Sequence, residues 1–198
     1  DEARDVRVTH DFVPRRPILC LPHGAFPEMT TTSAGIPKAV DVAVSGSLCP
    51  MNYPARARIA MALRLADAQD LAVDWIPHPV DGGTDIGPDF WRRIARARLA
   101  VAGTNAYGCL TMRYLEIPAS GTLAVGDVPV EAPDLRNHMV AIEHAEGPHE
   151  ILGKIRAALE DPTLPRRSAC AQSYVCGERR SFQVLAESCL REIGRVLG

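Results

Sequence analysis

Short apolar runs alternate along the chain with stretches of helical period, and that alternation predicts its architecture. An extended run, Pro17-Ile18-Leu19-Cys20-Leu21, is the first expected strand. Residues 41–47 predict a buried strand that runs into the small-residue turn Ser45-Gly46-Ser47. A helix follows from Tyr53-Pro54, with apolar positions at Ile59, Ala62, Leu63 and Ala66. Strands are expected at 71–76, 98–102, 122–126 and 138–142, and helices at 89–96, 148–160, 164–175 and 180–197. Residues 1–16 are charged and unperiodic, which suits a linker or the remnant of an upstream domain, and 28–37 predict a loop. The fold class this implies over 17–198 is α/β: a Rossmann-like doubly wound parallel sheet with helices on both faces and paired C-terminal helices.

Composition narrows the function classes. The 198 residues suffice for one domain with a sizeable core. A net charge of −2 leaves no electrostatic footprint for nucleic acid. No apolar run approaches the ~20 residues of a membrane span. Six cysteines are scattered without a Cys-x-x-Cys pair, so buried or free thiols in a reducing, cytoplasmic compartment are the expectation. The six histidines form no metal-spaced pair, so no metal site is expected. A Walker-type cradle and a nucleophile elbow are both missing.

Chemistry concentrates in the stretch from Gly103 to Val125. The apolar run 98–102 leads into Gly103-Thr104-Asn105-Ala106-Tyr107-Gly108, then a short helix around Arg113-Tyr114-Leu115-Glu116, then Pro118, Gly121 and another apolar run. Proline and glycine are expected to end that helix. In such a unit the loop and helix start sit at the carboxyl edge of the sheet, where free N–H groups favour an anion. Gly108 and Thr111 stand near that start, Glu116 supplies a carboxylate able to hold a ribose hydroxyl pair, and Ser120 and Gly121 let backbone approach closely. Arg113, one turn ahead of Glu116, is placed to pair with it or to touch phosphate. Gly46 and Ser47 end the first core strand at a second ligand-facing position, and Arg56 can reach a diphosphate bidentately. Arg58 is better read as a solvated helix-surface charge.

The pattern Arg-aromatic-x-Glu-x-x-Ala-x-Gly before an apolar strand resembles the donor-site motif in the C-terminal domain of GT-B glycosyltransferases. The group 1, GT4-like members related to the CgeB spore-maturation proteins are the most similar in this respect. The order strand, Gly-Ser turn, Tyr-Pro-x-Arg helix, Glu motif and paired terminal helices extends the likeness over roughly residues 17–198. Phe26 stands where the family's hinge turn commonly has aspartate. The resemblance implies one half of a GT-B fold, with a nucleotide-diphosphate sugar as donor substrate and no metal or other cofactor. Glu116 would hold the ribose, while the 46–47 turn and Arg56 would face the pyrophosphate. It also implies a retaining transfer whose acceptor-binding N-terminal domain is not present in this chain, and it assigns no catalytic residue. Two alternatives stay open: a non-catalytic α/β module of receiver or flavodoxin type, and a nucleotide-sugar epimerase-like domain.

Overall fold

A computed structural model describes residues 24–65, 68–78, 82–177 and 181–197. Its order is α1 (Pro27–Ser33), β1 (Val40–Ser45), α2 (Pro54–Ala62), β2 (Val73–Ile76), α3 (Gly87–Ala95) and β3 (Ala97–Val101). Then come α4 (Arg113–Ala119), β4 (Leu123–Gly126), a 3-10 turn (Pro133–His138), β5 (Met139–Ala141), α5 (Pro148–Glu160), α6 (Leu164–Cys176) and α7 (Phe182–Leu197). The five strands form one sheet in the order β2-β1-β3-β4-β5, every neighbouring pair parallel. Helices cover both faces, so the expected α/β class, a Rossmann-like doubly wound sheet, is the observed one. The expected 17–21 strand lies outside the described residues.

The two faces are built from different side chains, because successive strand residues point to opposite sides. Val42, Val44, Leu99, Val101, Leu123 and Val125 face α2 and α5, meeting Ile59, Ile151, Leu152 and Ile155. Ala43, Ala100 and Ala124 face the other way and leave room for the large side chains of α3 and α4: Phe90, Ile94, Tyr114 and Ile117. Each fully buried Ile, Leu or Phe contributes about 1.5–3 kcal/mol.

One expected loop is a helix. Residues 28–37 include α1, whose Pro27 occupies the first turn and whose Met29 and Ser33 are buried. Its threonine run has weak helix propensity, and tertiary contacts override it. Thr30 Oγ1 donates to Ala119 O (3.2 Å), and Ser33 Oγ to Trp91 O (3.4 Å). Cys170 and Cys176 are unbridged thiols. Among the described residues no helix is long and apolar enough to cross a membrane.

Candidate functional site

The strand order reverses direction between β1 and β3. The chain leaves β1 toward the valine-rich face as α2 and leaves β3 toward the alanine-rich face as α4, so the two exits part and open a crevice at the carboxyl edge. A cavity of about 400 Å³ lies in that crevice. Of the residues the sequence singled out, it brings together Gly46, Ser47 and Arg56 from the β1 side and Thr111, Arg113 and Glu116 from the β3 side.

Arg56 is the unusual member. It is only 3 % exposed. Its Nη1 donates to Ser47 O (3.2 Å), and its guanidinium lies 4.3 Å over the Tyr53 ring. Among the described residues no carboxylate forms an ion pair with it, and its buried Nε has no hydrogen-bond partner. Burial, and then the nearby Arg113 charge, push its pKa down to about 10, which leaves it a cation at neutral pH. The Asp127 charge offsets only part of the burial cost, and an anion entering the cavity would offset more of it.

The turn before it explains how the guanidinium is positioned. Gly46 adopts φ +83°, and a Cβ there would stand 2.7 Å from Arg56 Nη1 and 3.8 Å from Arg113 Nε. A side chain there would push the Arg56 guanidinium aside while leaving Arg113 in ordinary contact, and the positive φ itself favours glycine. Gly103, on the β3 side, lets the first turn of α2 approach closely: a Cβ there would stand 2.9 Å from Arg56 Cβ and 3.2 Å from Arg56 N.

Glu116 is not the freely exposed surface carboxylate of an ordinary helix. Its side chain is 14 % exposed and pairs with Arg113 at i,i+3. Trp91 Nε1 donates to its other oxygen at 3.4 Å. Arg113 in turn lies 4.0 Å over the Phe90 ring. A carboxylate has about four lone-pair sites, so two remain for ligand hydroxyls. Thr111 serves the loop, its Oγ1 donating to Gly103 O (3.1 Å).

Three of the expected residues lie elsewhere. Gly108 (φ +78°) turns the loop, donating to Asn105 O and accepting from Val130 N, outside the cavity lining. Ser120 and Gly121 sit at the opposite end of α4, beyond its C-terminus. Seven helical residues span about 10 Å, which carries them to the amino edge of the sheet. Gly121 (φ +71°) reverses the chain there as expected, whereas Pro118 lies inside the helix rather than beyond its end. Arg58 reaches the β5–α5 loop, where its Nη2 donates to Glu143 O (2.8 Å) and Glu146 O (2.9 Å). It ties α2 to that loop while remaining partly exposed on the helix surface.

Sequence reasoning passed over Tyr53, His78 and Asn105, which also line the cavity, and Trp91, which orients Glu116. Asn105 Oδ1 accepts from Tyr107 N (2.9 Å) and Cys109 N (3.0 Å). An Asn inside the turn-rich segment 103–108 is the local signal that could have found it. Beneath the cavity, Asp127 accepts from Thr104 N (3.0 Å) and Tyr114 Oη (2.8 Å), which stiffens both loops. Burial, then the Asp127 charge, hold the Tyr114 phenol well above its usual range. Among the described residues no three His, Cys, Asp or Glu side chains converge as a metal site. No family model, no curated protein and no solved structure matches this chain.

Proposed function

We propose that the carboxyl-edge cavity binds a nucleoside diphosphate and that the chain is the donor-binding half of a nucleotide-sugar transferase of the GT-B kind. The observation that carries the reading is Arg56: a buried guanidinium that forms no ion pair among the described residues, in a cavity where the one lining carboxylate described, Glu116, is already partnered. The cavity therefore has net positive character and suits a ligand whose charge lies at the α2 side and whose hydroxyls lie at Glu116. A leaving diphosphate needs its developing charge stabilised, and a fixed cation supplies that stabilisation.

The ribose assignment has its own test. A ribonucleoside diphosphate is titrated against its 2′-deoxy analogue, on the wild type and on Glu116→Ala. If Glu116 holds the hydroxyl pair, the wild type prefers the ribonucleotide by about tenfold, which is about 1.4 kcal/mol of hydrogen bonding, and the variant loses the preference. Equal discrimination by both proteins would remove Glu116 from the site.

A second reading rests on topology. The order β2-β1-β3-β4-β5 is also that of flavodoxin-type modules. Fold alone does not assign function, and under this reading nucleoside diphosphates would show no preference over inorganic phosphate.

A further inference from the structure

Asn105 stands in the cavity wall with a carboxamide whose orientation is set by chemistry. Its Oδ1 accepts two backbone N–H groups, from Tyr107 and Cys109. An amide nitrogen cannot accept, so the opposite flip is excluded. The Nδ2 amino group is left with two donor protons and no partner among the described residues. Asn105 comes from the loop after β3 and Arg56 from the first turn of α2 after β1, and both line the cavity where the strand order reverses. Arg113 closes on the same Gly46 turn as Arg56 and keeps N–H groups beyond the one given to Glu116.

We infer that Asn105 is a ligand-binding residue, its Nδ2 completing with Arg56 and Arg113 a three-donor clamp for the diphosphate itself. The inference rests on the nucleotide-binding reading for the nucleoside but not for the anion. All three groups donate and none accepts, so the clamp discriminates against ligands presenting hydroxyl or amino hydrogens at this end. Charge-assisted bonds from guanidinium to phosphate oxygen supply most of the attraction, and the amide sets where the phosphoryl oxygens lie.

Asn105→Asp separates this role from a structural one. Aspartate retains an oxygen for the Tyr107 and Cys109 amides, so the turn and the melting temperature are retained, while the ligand-facing amino group becomes an anionic oxygen. Asn52→Asp, on the exposed β1–α2 loop outside the cavity lining, adds the same charge as a control. Inorganic pyrophosphate and UDP, GDP and ADP are titrated against the wild type and both variants. The clamp predicts that Asn105→Asp weakens pyrophosphate binding by at least about tenfold, and Asn52→Asp by less than about twofold. Equal weakening by both variants, or none by Asn105→Asp, overturns it. Pyrophosphate binding without nucleotide binding would keep the clamp and reject the nucleotide reading. Failure of pyrophosphate and every nucleotide to bind the wild type would reject both.

Discussion

The two ends of the sheet each carry a pair of cations beside a cavity, yet they use them differently. At the amino edge Lys38 Nζ donates to Ala95 O (2.9 Å), Gly121 O (2.8 Å) and Thr122 Oγ1 (3.0 Å). Arg98 beside it donates to Asp41 Oδ1 (3.3 Å) and Leu159 O. An ammonium has three protons, and all three of Lys38's end on protein oxygens at the C-termini of α3 and α4. The adjoining cavity of about 280 Å³, lined by Lys38, Arg98, Gly121 and Leu164 among others, therefore meets a lysine with no proton left for a ligand. At the carboxyl edge Arg56 has one carbonyl, one ring face, an orphan Nε and a like-charged neighbour. A cation beside a hole is common to both ends. What differs is whether the protein has already used its hydrogens.

Substitutions at the two ends should therefore divide stability from binding. The largest expected effect is on ligand affinity in Arg56→Met, where loss of charge-assisted bonds weakens diphosphate binding about 10–100-fold in a titration. Its unfolding free energy should fall little, since an apolar side chain of similar length removes a buried charge that no carboxylate contacts and that the Asp127 charge offsets only in part. Lys38→Met should do the reverse. Three acceptors lose their partner, lowering stability by about 1–3 kcal/mol in urea unfolding, with diphosphate affinity unchanged.

Gly46→Ala sits between these extremes. Forcing φ +83° on alanine costs about 1–2 kcal/mol, and the new Cβ displaces the Arg56 guanidinium. Both stability and affinity should drop, the one substitution to move both.

Lys38 also adds a pH dependence. The residue as a whole is exposed, but desolvation of its ammonium, held among Ala95 O, Gly121 O and Thr122 Oγ1, lowers its pKa from 10.5 to about 8. Below pH 8 the native and unfolded chains both carry this proton, and above 10.5 neither does. Between those values the unfolded chain binds more protons, so this group's contribution to unfolding free energy rises with pH. The wild type minus Lys38→Met difference in urea midpoint should widen from pH 8 to 10.5. A flat difference would mean that the three acceptors hold the ammonium charged throughout. The smallest effect belongs to Arg92→Ala: the Arg92–Asp89 pair is 55 % and 75 % exposed and should contribute no more than about 0.5 kcal/mol.

The elements themselves were legible because their periods are strong. Helix α5 runs Pro148–Glu160, the bounds that its apolar positions and first-turn proline predict, and α2 begins at Pro54. Helix α1 was hidden by its threonines, whose helix is held by contacts from Ala119 and Trp91, far away in sequence. The site was half legible. Residues directly after β1 (Gly46 and Ser47), in the first turn of α2 (Arg56) and in the first turn of α4 (Arg113 and Glu116) are placed by topology, which local pattern predicts. Ser120 and Gly121 looked contiguous with Glu116, but a helix carries the two ends of one motif to opposite edges of a sheet. Trp91 and Phe90 act across elements, through Glu116 and Arg113, and no spacing along the chain encodes such a contact.

The most direct measurement is calorimetric titration of UDP, GDP and ADP into the wild type, Arg56→Met and Lys38→Met. The account predicts saturable binding of at least one diphosphate, weakened about 10–100-fold in Arg56→Met and unchanged in Lys38→Met. No binding to the wild type at millimolar ligand, or equal loss in both variants, would contradict it.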